Sequence, residues 1–329
     1  LTEAVKAGWS LRHLGFKWKP VPPSLALLAV YGLIEPGRLG KWFLLLDNSV
    51  AATFDLAPFC PLVARSPEHA RGIYLGRDEI GRKVYVDFEK LPAHHGLIFG
   101  PTGSGKTTFL RHYMLEFVER YGGYAVFYDP SGEEKGLGWR VHASKLNLRD
   151  PPPGVPLERW LGELGDYGID PGDLPRGPYT PLEFLKRRIV HVDASRMHET
   201  MQTRVAAALI LWLSLWAEYK WGVVHWPRIL LIVDEAHKLK WVTRVRVTAT
   251  GERFEEPLVS RVLRENRKLG VAVFFSSQIP WDFRPEDFTN ASVKIALPGN
   301  AKPYLKYVAE LFGAGEDEQW LAGAKYGVC

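Results

Sequence analysis

Cysteine is nearly absent. The 329 residues hold two, Cys60 and Cys329, far apart and in no metal-ligand spacing. That excludes a disulfide framework and a cysteine-based zinc site, and it makes a reducing compartment, the cytoplasm, the default. Methionine is scarce too, at three residues, and amides are few, while prolines number 24. That balance fits a thermophilic protein. No apolar run reaches the roughly 18–20 residues of a membrane span. The two nearest are Leu25–Ile34, short and bounded by prolines, and Val205–Ala217, which reads as a helix buried inside an α/β domain. The chain opens on Leu1 rather than Met, so a missing N-terminal segment, including one that enters a membrane, stays open. A strong charge of one sign is also lacking. The net charge of +5 and pI near 9.0 permit a polyanionic partner without requiring one. With 46% hydrophobic and 24% charged residues the chain reads as globular, one large domain or two modest ones.

What is present is a phosphate cradle. The stretch "IFGPTGSGKTTFLR" meets the Walker A pattern G-x-x-x-x-G-K-[ST] with Gly100, Gly105, Lys106 and Thr107. A strand over Gly96–Phe99 must turn sharply into a helix. Glycines 100, 103 and 105 let the backbone bend and face an anion with its N–H groups. The helix N-terminus adds the positive end of its dipole. The cradle therefore comprises Gly100, Pro101, Thr102, Gly103, Ser104, Gly105, Lys106, Thr107 and Thr108. Lys106 supplies a point charge for the β- and γ-phosphates of ATP, and Thr107 offers a hydroxyl to Mg²⁺.

A second stretch, "RILLIVDEAHKL", carries the acids. Ile229–Val233 is a continuous apolar run, as for a parallel strand buried on both faces. Asp234 and Glu235 close it. Acids at the C-terminal end of such a strand lie beside the phosphate loop. Asp234 suits the Mg²⁺ shell (Walker B), and Glu235 suits polarising a water for attack on the γ-phosphate. The plainer reading is a strand end with two solvated acids, and the cradle weighs against it.

Around these motifs the chain has an α/β rhythm. Residues 1–70 read as an N-terminal region of short helices and loops with no assigned chemical task. Residues 71–329 form the catalytic domain. Gly72–Phe88 reads as a β-hairpin turning at Asp78–Gly81. Helix Thr107–Tyr121 and strand Tyr124–Tyr128 follow the cradle. Residues 135–180, rich in Pro and Gly, break the rhythm and read as an insertion, a passive surface excursion with one short helix near Leu157–Leu164. Strand Arg188–Val192, helix Glu199–Tyr219 and the acid-bearing strand come next. A ribbon at Trp241–Glu256, a helix over Pro257–Leu269, strands Val271–Ser276 and Val293–Ala296, and a helix near Tyr304–Phe312 complete the order. The end of "GVAVFFSSQ" sets Gln278 beside the γ-phosphate, as a sensor of its presence or as a polar strand end only.

Taken in order, "HHGLIFGPTGSGKTT", "FYDPSGEE", "ILLIVDEAHKL", "RENRKLGVAVFFSSQ" and "ASVKIALPG" resemble HerA/FtsK-type P-loop ATPases. The likeness is strongest to the HerA-like branch, which includes archaeal DNA-processing motors and the ATPases of conjugation and type IV secretion. It covers about residues 72–312. "DEAH" here closes a strand and is not a DEAH-box helicase signature, since that group's other motifs are missing. The resemblance implies a RecA-like core, a homo-oligomeric ring, typically hexameric, ATP-driven and sequence-independent DNA translocation, and a site shared between subunits. It also implies an arginine supplied by the neighbour, matched best by Arg267 with Arg264 in reserve. Membrane-embedded transfer or secretion components are further implied partners, which would hold a cytoplasmic ring at the inner face of the membrane. The plainer reading of Arg261, Arg264, Arg267 and Lys268 is a solvated basic helix face.

Within the ribbon "WVTRVRVTATGERF", Arg244 and Arg246 share one face, continued by Thr248 and Thr250. Such a face suits DNA phosphates inside a pore, or it is a charged edge that resists aggregation. Three other functions compete with DNA translocation: pilus assembly or protein transfer by a similar motor, a nucleotide-dependent scaffold with negligible turnover, and a small-molecule kinase. The last lacks a lid with paired arginines.

Overall fold

A computed structural model of the chain describes residues 72–311, except 78–82, 134–137, 248–250 and 300. All belong to one compact unit, Ser66–Cys329. The expectations for residues 1–70, for the turn at Asp78–Gly81, and for Thr248 and Thr250 lie outside the described residues.

Seven strands form one parallel sheet. They are β3 (Gly96–Phe99), β4 (Tyr124–Asp129), β5 (Trp139–His142), β6 (Ile189–Asp193), β7 (Ile229–Val233), β10 (Val271–Ser277) and β11 (Val293–Ala296). Their order is β11-β3-β10-β7-β4-β6-β5, and every neighbouring pair is parallel. Two antiparallel ribbons stand apart from it: β1 (Ile73–Arg77) with β2 (Lys83–Val86), and β8 (Thr243–Val247) with β9 (Arg253–Pro257). The helices are α1 (Lys106–Tyr121), α2 (Leu157–Asp166), α3 (Glu199–Trp221), α4 (Leu258–Glu265), α5 (Pro285–Asn290) and α6 (Lys302–Leu311). The expected α/β fold, a mostly parallel sheet flanked by helices, is thus the one that forms.

The period-2 alternation of each strand divides the core in two. Ile98, Phe127, Ile232 and Phe274 face α1, where Leu110, Tyr113, Met114 and Phe117 are buried. Leu97, Tyr128, Leu231 and Val273 face the other side, against the cluster that contains α3. Helix α3 is buried continuously from Val205 to Ala217. A helix that is apolar all round needs cover on every side, and here the cover comes from residues 143–184.

That corrects the expectation for the Pro/Gly-rich insertion, which is no passive excursion. Its Trp139–His142 forms β5, the edge strand of the main sheet beside β6. Its Val155, Trp160, Leu164 and Leu174 join the same buried cluster as α3, with Phe184 just after it. Two indoles are satisfied by its backbone: Trp160 Nε1 donates to the Arg149 carbonyl at 3.1 Å, and Trp212 Nε1 of α3 to the Asp150 carbonyl at 3.0 Å. Proline and glycine content signals irregular backbone, not exposure. A segment with few regular elements can still form one layer of a core when its aromatics point inward.

Candidate functional site

The cradle forms where β3 ends. Gly103 and Gly105 take the left-handed region at φ 79° and 87°, and a side chain at either would find open space but a strained backbone. Gly100 is needed for a different reason. A Cβ there would sit 2.4 Å from Ser104 Oγ and 2.9 Å from Leu297 Cβ. Helix α1 begins at Lys106 with no side-chain cap and no acid in its first turn. Its first N–H groups therefore remain for an anion. Ser104 Oγ is buried without a hydrogen-bond partner inside the same loop. Thr102, Thr107 and Thr108 are exposed on it, and Pro101 is half-buried.

Strand register decides which side chains meet the loop. Ser277 of β10 pairs with Phe99 of β3, so the next residues, Gln278 and Gly100, stand side by side. Phe275 of β10 pairs with Val233 of β7, which sets Ser276 beside Asp234. Because β10 lies between β3 and β7, one row runs across three strand ends: cradle, Gln278, acids.

The distances bear this out. Lys106 Nζ is 3.5 Å from Asp234 Oδ1 and 3.9 Å from Glu235 Oε1, with all three side chains largely buried. Gln278 Nε2 donates to Glu235 Oε1 at 3.2 Å, and the Thr102 hydroxyl lies 3.5 Å from Gln278 Oε1. Ser276 Oγ donates to Asp234 Oδ1 at 2.6 Å. His237 Nδ1 stands 3.3 Å from Glu235 Oε2. Glu235 has φ 51°, and among the described residues it is the one non-glycine at positive φ. Such a conformation costs about 1–2 kcal/mol, and strain of this kind gathers at functional sites.

The donor set suits Mg²⁺. A hydroxyl and a carboxylate are hard oxygen ligands, and Mg²⁺ takes one or two of these with waters and substrate phosphates. Among the described residues no cluster of three or more His, Cys, Asp or Glu forms a metal cage.

The two histidines before β3 have a structural task. His95 is fully buried, and its Nδ1 accepts from the Val273 N–H at 3.0 Å, tying β3 to β10. Burial pushes its pKa down to about 3. The "DPSGEE" stretch begins at the end of β4, where the register of Tyr128 with Val233 sets Asp129 beside Asp234. Asp129 Oδ1 accepts from the amides of Ser131 and Gly132, which turns the chain locally.

The arginines separate sharply. Arg244, expected to face DNA, is only 8% exposed. Its guanidinium holds Glu256 at 2.7 Å and Glu265 at 3.2 Å. Arg246 binds the same two carboxylates, at 3.2 and 2.9 Å. The two arginines share one face, on which Arg244 is buried and Arg246 stays partly exposed, while Val245 and Val247 on the other face meet solvent. Arg244 is therefore a buried ion-pair residue between acids of β9 and α4, and Arg246 pairs with the same acids while its side chain stays 42% exposed. Arg264 contacts the same acids, Glu256 and Glu265. Arg261 joins α4 to the insertion through Glu163. Arg267 is exposed, and no side-chain partner holds it among the described residues.

Sequence reasoning missed Ser276 and His237. "SSQ" contains Ser276, but nothing local says that β10 and β7 are neighbours; His237 reaches back to Glu235 across the left-handed turn at that residue.

Residues 64–122 match the model of the FtsK/SpoIIIE family. This agrees with the HerA/FtsK resemblance read from the motifs. Mobilization protein A of Escherichia coli is 32% identical over 106 residues, which is 32% of this chain and 20% of that protein. This chain thus matches about a fifth of that relative. Among solved structures, VirB4 of Thermoanaerobacter pseudethanolicus aligns at TM-score 0.52 and 17% identity, over 78% of this chain and 92% of that one. The fold around the FtsK/SpoIIIE-like loop is therefore that of the RecA-like P-loop NTPases. The genome packaging NTPase B204 from Sulfolobus turreted icosahedral virus 2, in complex with ATP-gammaS, aligns at TM-score 0.42 and 16% identity, over 71% of this chain and 89% of that one. No described helix is long and apolar enough to cross a membrane.

Proposed function

We propose that the protein is an ATP-hydrolysing motor of the HerA/FtsK type that moves DNA, without regard to sequence, through a homo-oligomeric, hexameric ring. The observation that carries this reading is the single row of Lys106, Gln278, Asp234 and Glu235 across three adjacent strand ends. Lys106 and the loop amides of residues 100–108 anchor the phosphates. Thr107 and Asp234 hold Mg²⁺, which supplies charge neutralisation at the transferring phosphoryl group when bound. Glu235 takes the proton of the attacking water, and Gln278 registers the γ-phosphate between Glu235 and Thr102.

Arg267 is the finger. Strand β10 separates it from Gln278 by about 20 Å, so it cannot serve the phosphates of its own chain. A neighbour's nucleotide is the natural target of a free guanidinium on that edge. Arg264 is the poorer choice because Glu256 and Glu265 already engage it. The ring works in the cytoplasm, and any membrane attachment comes through partners or a preceding segment.

A second cargo is supported by the likeness to VirB4 and to Mobilization protein A: a conjugation or type IV secretion apparatus, whose ATPase energises pilus assembly or protein transfer. Turnover stimulated by DNA alone favours the DNA motor. Turnover stimulated only by membrane or pilus components favours the second reading.

Mixed assemblies test the shared pocket. Lys106→Ala and Arg267→Ala proteins are each expected to be inactive, the latter by about 10³–10⁵-fold. Mixed, they should recover turnover, because some interfaces then pair an intact cradle with an intact finger. Mixtures that stay silent while both proteins bind nucleotide and assemble would overturn the motor reading.

A further inference from the structure

Asp234 has two oxygens, and the protein treats them differently. Ser276 Oγ, on a fully buried side chain, donates to Oδ1 at 2.6 Å. Lys106 Nζ also approaches Oδ1, at 3.5 Å. No described donor side chain is assigned to Oδ2. The cause is the β10–β7 register, which sets Ser276 directly beside Asp234 with their backbones about 4.8 Å apart. A serine hydroxyl spans that gap. An alanine leaves it open, whereas a threonine keeps the hydroxyl.

We propose that Ser276 is a positioning residue that fixes the Asp234 carboxylate with Oδ2 presented for Mg²⁺. This rests on the nucleotide reading given above. When phosphates draw Lys106 away from Asp234, Ser276 becomes the remaining donor to Oδ1. Without it the carboxylate turns freely about its Cβ–Cγ bond and the metal-binding oxygen is no longer preset. Hydrogen-bonded partners of metal ligands act in this way, and their loss typically weakens metal affinity about 10–100-fold.

The test is a binding measurement on the full chain by calorimetry, with ATPγS in Mg²⁺ and in EDTA. Ser276→Ala should raise the Mg²⁺ concentration needed for tight nucleotide binding by about 10–100-fold and leave the affinity in EDTA as in wild type. Ser276→Thr, which keeps the hydroxyl, should restore the wild-type Mg²⁺ requirement. An unchanged Mg²⁺ requirement in Ser276→Ala overturns the proposal. So does equal loss of affinity in both buffers, or a Thr variant that behaves like Ala despite native-like melting. Wild-type protein that binds ATPγS equally well in Mg²⁺ and EDTA overturns the Mg²⁺ reading itself, which separates the two failures.

Discussion

Gln278 donates its amide hydrogen to Glu235 Oε1 across 3.2 Å, from the end of β10 to the end of β7. The same amide group lies within 3.5 Å of the Thr102 hydroxyl on the phosphate loop. One side chain thus touches both the phosphate-loop motif and the carboxylate proposed to activate water. In the proposed motor, loss of the γ-phosphate would change what Thr102 faces, and Gln278 links Thr102 to Glu235.

Glu235→Gln keeps the shape of this junction and removes the base. Nucleotide affinity should stay near wild type, because Lys106 and the loop amides are untouched. Turnover should fall by about 10²–10⁴-fold, the usual contribution of a positioned base. A steady-state ATPase assay beside a binding titration checks both, and full turnover would remove Glu235 from the water-activation role.

Trp160 of α2 is completely buried against α3. Trp160→Ala should destabilise the domain by about 3–5 kcal/mol, read by urea unfolding. A surface excursion would give under about 0.5 kcal/mol. The insertion is therefore expected to resist deletion, despite its proline and glycine content.

Arg244 lies between carboxylates, with Glu256 only 3% exposed. Arg244→Ala removes the buried guanidinium from Glu256, which keeps Arg246 and Arg264 as partners, and should cost about 1.5–3 kcal/mol. If the chain binds DNA, the slope of log affinity against log salt should not change, because Arg244 releases no counterion there. A slope reduced by about one unit would return Arg244 to the DNA surface.

His95 makes stability depend on pH. The unfolded chain binds a proton at this residue below about 6.5, whereas burial keeps the folded form neutral down to about 3. Between these values the unfolded state holds the extra proton. Stability therefore falls as pH drops, by about 1.4 kcal/mol per pH unit from this group. His95→Gln keeps an acceptor for the Val273 amide but cannot titrate. Its stability should decline less steeply between pH 6.5 and 4, and an identical slope would show that His95 is not the titrating group.

Much of this protein was legible before folding is considered. The cradle is a contiguous run whose glycines, lysine and threonine act on the backbone they belong to. The acids close a strand whose apolar run is self-evident. β3, β7 and β11 occupy the residues their patterns indicate, and α1 and α3 begin and end within two residues of expectation. Helix α5 was not expected at all. Its six residues are too few to display a helical period.

The sequence alone determined the phosphate loop, the acidic strand and the α/β alternation, because each depends on residues within a turn or a strand of one another. Tertiary structure decided the rest. The pairing of β10 between β3 and β7 brought Ser276 and Gln278 to the acids. The acids of β9 and α4 claimed Arg244 and Arg246, and took Arg244 out of solvent. The insertion became a core layer because α3 needed cover on its outer side. Each of these outcomes depends on contacts between segments tens of residues apart, and local spacing carries no information about which distant strand or helix will be the neighbour.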